Sequence, residues 1–204
     1  FGSLPFIFSG SISSFTDAFF ETMSGFTTTG STILENIEEL PKSILFWRSM
    51  TQWIGGMGII VLTIAILPLL GIGGMELFVA EAPGPTKDKI HPRIKETAKS
   101  LWIIYLGLTI TETILLMCCG LSFFDAINHS LTTTSTGGFS TKQDSIAAFD
   151  NIYVEAIIMV FMLAAGTNFT LLYFGFKLKI GKILNNDEFK WYFFSIISIS
   201  LLLT

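Results

Sequence analysis

Residues 123–141 read FFDAINHSLTTTSTGGFST. A short amphiphilic stretch, 123–131, runs into Thr132, Thr133 and Thr134 and then into the pair Gly137 and Gly138. A helix needs about 20 apolar residues to cross a bilayer, and this stretch has far fewer. Its neighbours do not fall short. Residues 101–121 carry a single charge, Glu112, and 156–176 is a run of 21 residues without a charge. A third uncharged run, 49–70, has 22 residues, and a fourth, 191–204, continues to the last residue. A segment between two spans that is too short to cross, and that ends in Thr and Gly, reads as a re-entrant helix with an extended return. Such backbone is tolerated at membrane depth only where protein or a water-filled cavity satisfies it. A pore is such a place.

The composition points the same way. Half of the 204 residues are apolar, 20 are Phe and only 14% are charged, against about 25% in soluble domains. Mean hydropathy is +0.64. The expected fold class is an all-α membrane protein, multi-pass, built from helix–re-entrant loop–helix units. Cys118 and Cys119 are adjacent inside an apolar run. They cannot make a disulfide framework and read as small packing residues. The formal charge of −4 hides a strong asymmetry, and no nucleic-acid partner is expected. No signal peptide is visible, residue 1 is Phe, and the last apolar run is short. The sequence therefore reads as a piece of a longer polytopic protein.

Five of the 12 Lys and Arg fall in 75–100 (Lys87, Lys89, Arg93, Lys95 and Lys99) and four in 177–190 (Lys177, Lys179, Lys182 and Lys190). That bias places both segments in the cytoplasm. Segments 31–43 and 139–150 then face outside. They carry Glu35, Glu38, Glu39, Asp144 and Asp150 against Lys42 and Lys142. These acids fit ordinary solvated loops, or a negative vestibule that concentrates cations by focusing the field.

The unit occurs twice. A shift of 108 residues lays Phe15, Thr16, Asp17 and Ala18 over Phe123, Phe124, Asp125 and Ala126. Without a gap, Thr28 then falls on Thr136, Gly30 on Gly138, Thr32 on Ser140 and Gly58 on Gly166. Each copy reads as short helix, Thr-rich turn, Gly, acidic outer loop and long inward helix, and such repeats define an architecture. The expected organisation is a first pore repeat over 1–74 with its outward helix truncated and a cytoplasmic loop over 75–100. A second repeat over 101–176, a cytoplasmic loop over 177–190 and the start of a third repeat over 191–204 follow.

The chemistry that such a unit supports is cation conduction. Stripping water from a small cation is costly unless oxygen dipoles replace it, as rings of backbone carbonyls do in potassium channels. In Thr28-Thr29-Gly30 and Thr136-Gly137-Gly138 the glycines are free to take φ > 0 and turn successive carbonyls to one axis. Short helices over about 17–26 and 125–134 would aim their partly negative C-terminal ends at the pore centre. Asp17 and Asp125 suit the positive helix starts. Either motif alone also fits a polar β-prone loop; two in register, each between an outward and an inward helix, are specific.

These residues resemble the Trk/Ktr/HKT potassium-transporter superfamily, most closely the bacterial Trk-type pore-forming subunit. The resemblance rests on FTTTGST at 26–32, QWIGGMGIIVL at 52–62, MELFVAEAPGPTKDK at 75–89 and HSLTTTSTGGFST at 129–141. It implies four pore repeats in one polypeptide and one essential filter Gly per repeat, here Gly30 and Gly138. By the same likeness the filter positions are Thr28, Thr29, Gly30, Thr136, Gly137 and Gly138. K⁺ would be the transported ion, with no organic cofactor. The resemblance further implies a homodimer in the bacterial inner membrane, bound to a cytoplasmic nucleotide-binding regulatory subunit. This chain would supply half a pore.

Other residues carry weaker expectations. Glu112 is the lone charge inside a span, where an acid costs roughly 2.5–3.5 kcal/mol. It fits an ion-pathway residue or, preferably, a buried structural acid. Arg48 is expected to snorkel to the outer interface. Asn168 either donates across helices or lines an inner cavity. His91 and His129 show no metal-ligand spacing, and Gly55, Gly56 and Gly58 suit close helix approach. No nucleophile elbow or phosphate-binding glycine loop appears, so no enzymatic activity is expected. Residues 81–93, with three prolines and mixed charges, suit a docking surface for the regulatory partner or an anionic-lipid contact through Lys87, Lys89 and Arg93.

The function expected is inward K⁺ movement down its electrochemical gradient. A Na⁺-permeable or ion-coupled symporter and a non-conducting structural membrane subunit are the alternatives. Gly138→Ser and Gly30→Ser should lower K⁺/Na⁺ preference. Gly137→Ser should do less, because its repeat mate is Thr29.

Overall fold

The computed structural model describes residues 1–66, 90–168, 171, 172, 175, 181 and 186–203. Lys87, Lys89 and most of the basic segment 177–190 lie outside the described residues. Among those described, all regular structure is helical. In chain order the α-helices are α1 (Leu4–Phe8), α2 (Phe15–Phe26), α3 (Lys42–Ile66), α4 (Ile90–Cys118), α5 (Phe123–Thr134), α6 (Ile152–Ala165) and α7 (Asp187–Leu203). Short 3₁₀ turns at Ile37–Glu39 and Ser145–Phe149 sit in the two loops over 31–43 and 139–150.

The helices sort by length. At 1.5 Å per residue, α3 with 25 residues and α4 with 29 extend about 38 and 44 Å. The segment Lys99–Cys118 of α4, with mean hydropathy 1.8, is long and apolar enough to cross a membrane. By contrast, α2 and α5 have 12 residues each, about 18 Å, little more than half a hydrocarbon core of about 30 Å. α4 begins at Ile90, well before the apolar run. Arg93, Lys95 and Lys99 therefore stand on a helix and not in an irregular loop. Lys and Arg are good helix formers, so leaving the apolar run does not end the helix.

α4 is turned inside out relative to a soluble helix. Its buried face carries Tyr105, Thr109, Glu112 and Thr113 beside Leu101 and Leu116, while Ile103, Ile110 and Ile114 are exposed. Polar groups on the inner face are joined across helices. The Trp53 indole N–H donates to Thr109 Oγ1 at 3.1 Å, and Tyr105 donates to the Trp53 carbonyl at 3.0 Å. Thr109 in turn meets Thr134 Oγ1 at 3.3 Å. Such bonds are the glue available where lipid removes any hydrophobic drive between helices. Gly55 and Gly56 permit the closest approaches. A Cβ on Gly55 would strike the Phe26 carbonyl, and one on Gly56 would come within 2.8 Å of the Tyr105 hydroxyl. Gly58 meets nothing within 4 Å.

One expectation fails at α6. The uncharged run 156–176 reads as a single inward helix, yet α6 stops at Ala165 and Gly166 caps it. A new turn follows, with the Leu171 amide bonded to the Asn168 carbonyl at 2.8 Å. α7 packs at this break. Tyr192 donates to the Leu163 carbonyl at 3.3 Å, and Asn168 Nδ2 donates to Glu188 at 3.3 Å. Asn168 thus takes the cross-helix role.

Candidate functional site

The two short helices start alike. Ser14 and Ser122, 108 residues apart, are extended N-caps whose hydroxyls accept the amides of Asp17 at 3.4 Å and Asp125 at 3.1 Å. An N-cap of this kind satisfies one of the four orphan donors of a helix start. Asp125 is tied further. It accepts from Ser122 at 2.6 Å and from Thr141 at 2.7 Å, which fastens the returning limb of the second loop to the start of its helix.

They also end alike. The Thr28 amide bonds the Gly25 carbonyl at 2.9 Å, and the Thr29 amide bonds the Ser24 carbonyl at 3.0 Å. In the second copy Thr136 bonds Thr133 at 2.9 Å and Gly137 bonds Thr132 at 2.8 Å. This nested pair of bonds is a Schellman ending, which demands a left-handed residue just past the cap and normally uses Gly. At the end of α4 the same ending does use Gly: Gly120 has φ +96. In the two loops the residue is Thr28 with φ 55 and Thr136 with φ 56. For a β-branched residue this is an outlier, costing roughly 1–2 kcal/mol. Sequence reasoning placed positive φ at the glycines alone and missed both threonines.

Two residues further on, Gly30 has φ +77 and Gly138 has φ +85. Thr29 and Gly137 between them are not in the left-handed region. Each triplet, Thr28-Thr29-Gly30 and Thr136-Gly137-Gly138, therefore carries positive φ at its first and third residues and not at its second. In a regular strand successive carbonyls point to opposite sides; a positive-φ residue breaks that alternation. The six residues singled out from sequence fall into two equivalent triplets of this form.

The triplets touch each other. A Cβ built on Gly30 would strike the Gly137 carbonyl, so the loops meet backbone to backbone. Gly138 has nothing within 4 Å of its Cβ position. Gly137 differs from what its repeat mate suggests. A side chain there would collide with Gln52, so the position is closed although Thr29 occupies the equivalent place.

Behind the loops lies a buried ion pair. Arg48 Nε donates to Glu21 at 2.9 Å, and the two side chains are 1% and 0% exposed. Arg48 also donates to Thr32 Oγ1 at 3.2 Å and to the Ser140 carbonyl at 3.3 Å, and lies 4.2 Å above the Phe139 ring. Glu21 accepts from Thr32 at 2.9 Å and from the Ile33 amide at 3.2 Å. Arg48 therefore does not snorkel. Enough donors and acceptors surround it to compensate its removal from water.

Outside this layer the acidic loops dock on each other. Gln143 accepts the Ile37 amide at 3.3 Å, and Lys142 meets Glu38 at 3.3 Å in an exposed pair that contributes little. Glu35, Glu39, Asp144 and Asp150 are exposed. Glu112 is fully buried on α4 beside Thr133 of α5. His129, the repeat mate of Glu21, is buried edge-on against Phe149 at 5.3 Å.

The chain is similar to known proteins over most of its length. The family model described as TrkH, a cation transport protein, matches residues 2–202. The Trk system potassium uptake protein TrkH of Escherichia coli (strain K12) is 55% identical over 172 residues, covering 83% of this chain and 36% of the relative. The Trk system potassium uptake protein TrkG of the same strain is 46% identical over 174 residues, covering 85% and 36%. The crystal structure of the potassium transporter TrkH from Vibrio parahaemolyticus superposes with a TM-score of 0.74 at 43% identity. It covers 99% of this chain and 40% of that one. The chain thus spans little more than a third of the length of the relatives it matches.

Proposed function

The chain belongs to the TrkH cation transport protein family, is an all-α integral membrane protein, and on that premise we propose that it supplies two ion-coordinating loops of a potassium uptake pore. The observation that carries this reading is the pair of triplets Thr28-Thr29-Gly30 and Thr136-Gly137-Gly138 with positive φ at their first and third residues, each at the C-terminal end of a helix too short to span. Carbonyls gathered on one side replace the hydration shell of K⁺. The negative ends of α2 and α5 add a favourable field at the same place. Glu35, Glu38, Glu39, Asp144 and Asp150 raise the local cation concentration outside it.

K⁺ is cargo in this reading, and the chain has no enzymatic role or organic cofactor. The relatives bear the name of a Trk system, which suits a membrane subunit working with partners. We place a homodimer and a cytoplasmic nucleotide-binding subunit among them, the latter docking on 81–93. Charge reversal at Lys87, Lys89 and Arg93 should abolish its pull-down in neutral detergent; undiminished pull-down would point to a lipid contact.

The deciding experiment is ⁸⁶Rb⁺ and ²²Na⁺ flux into proteoliposomes holding the full-length protein. Flux that follows the imposed gradient, with Rb⁺ preferred and the preference lost in Gly30→Ser and Gly138→Ser, supports the pore. Rb⁺ accumulation against its gradient would identify the coupled symporter. Glycine variants that alter assembly but never the ion preference would identify a structural subunit.

A further inference from the structure

Arg48 and Gln52 stand four residues apart on one face of α3, and both reach out of the first repeat into the second. Gln52 is fully buried. Its Oε1 accepts the Phe139 amide at 3.1 Å, and its amide group lies so close to Gly137 that no Cβ would fit between them. Its Nε2 lies 3.7 Å from the Cβ position of Gly30, so the side chain stands between the two loops. Arg48, one turn earlier, donates to the Ser140 carbonyl and covers the Phe139 ring. The peptide group before Phe139 and the one after Ser140 are therefore held by side chains of the other repeat, directly after Gly138.

The repeat-equivalent positions do not return the favour. Under the 108-residue shift Arg48 corresponds to Ala156 and Gln52 to Val160, two apolar side chains exposed on α6. The brace is a one-way feature. Helix packing alone does not account for it, because the groups held are a backbone amide and a backbone carbonyl of the returning limb. A buried backbone donor does not stay unpaired. If the Gln52 carbonyl is removed, the Phe139 amide must find another acceptor, and the limb beside Gly138 must turn to reach it.

The geometry points to Arg48 and Gln52 as positioning residues that set the ion preference of the second loop, 136–138, from the inward helix of the first repeat. This rests on the reading of those loops as ion-coordinating. The test uses full-length protein in proteoliposomes, with the Rb⁺/Na⁺ flux ratio and the amount of membrane-inserted protein measured together. Gln52→Leu removes the acceptor at similar volume and should lower the ratio about tenfold, equivalent to ~1.4 kcal/mol. Gln52→Glu keeps an acceptor oxygen for the Phe139 amide and should retain most of the ratio. Arg48→Lys keeps the charge beside Glu21, but one ammonium cannot span Glu21, Thr32 and Ser140, so the ratio should fall again. Val160→Leu, at the repeat-equivalent place, should leave it unchanged.

A purely structural role would lower both fluxes in proportion to protein amount and leave the ratio constant, which would overturn the inference. If Gln52→Leu does not accumulate, Arg48→Lys and Gln52→Glu decide by the same ratio. Gly138→Ser separates the two levels of reasoning. A ratio lost in Gly138→Ser but kept in Gln52→Leu and Arg48→Lys refutes the brace and leaves the pore intact. A ratio kept in all of them refutes the pore.

Discussion

Gly138→Ser isolates the cost of backbone handedness. Gly138 sits at φ +85 with no heavy atom within 4 Å of where a Cβ would stand. A serine there displaces nothing, and its penalty is the left-handed conformation alone, roughly 1–2 kcal/mol for a residue with a Cβ. If that penalty falls wholly on the ion-selective arrangement, preference for K⁺ over Na⁺ should drop by about 5- to 30-fold, since ~1.4 kcal/mol is tenfold. Protein amount in the membrane should hold. Gly30→Ser carries the same penalty at φ +77 and in addition drives a Cβ into the Gly137 carbonyl. Overpacking adds about 1–3 kcal/mol, so Gly30→Ser should be the more damaging of the two and should lower protein yield as well. Gly107→Ala is the control, a helical glycine with open space around its Cβ position. Paired ⁸⁶Rb⁺ and ²²Na⁺ fluxes in proteoliposomes measure the series. The reasoning fails if Gly138→Ser keeps the wild-type ratio, or if Gly107→Ala lowers it as much.

Gly137→Ser should be poorly tolerated despite its Thr29 mate, because Gln52 fills the space; a near-wild-type flux ratio would show that Gln52 yields freely. Thr136→Gly removes the penalty of a β-branched residue at φ 56, and should stabilise the protein by about 1 kcal/mol in a detergent melting assay. Ser122→Ala should cost about 1 kcal/mol by loss of a cap, and more than Ser14→Ala, because Ser122 also holds the Asp125 carboxylate. Glu21→Gln leaves Arg48 buried beside a neutral partner and should cost about 3–5 kcal/mol; the loss should shrink in the double variant with Arg48→Met.

The short helices were legible because their signals are local. The segments expected over 17–26 and 125–134 form over Phe15–Phe26 and Phe123–Thr134, with Ser14 and Ser122 adding the first turn. The repeat pairing of Gly30 with Gly138 also appears in the backbone, with positive φ at both. What escaped has physical reasons. A threonine carries no signal for the left-handed region, since its own preference opposes it. Thr28 and Thr136 are put there by the helix ending around them. Arg48 looked interfacial because hydropathy counts a charge without its partners, and those partners, Glu21, Thr32 and Ser140, come from other elements. The stop at Gly166 lies inside an uncharged run, and lack of charge does not report continuity of a helix; Gly166, Thr167 and Asn168 were the local signal of the break.

The one-sidedness of Arg48 and Gln52 bears on how such a chain can change over generations. In a ring of identical copies, every substitution is entered once per copy, and a change of about 1 kcal/mol is multiplied round the ring. Here the mates are Ala156 and Val160, so a substitution is entered once. Each loop is free to drift by single small steps that a symmetric ring would feel several times over. If the loops coordinate ions as proposed, two unequal copies in one chain let their preference change one small step at a time.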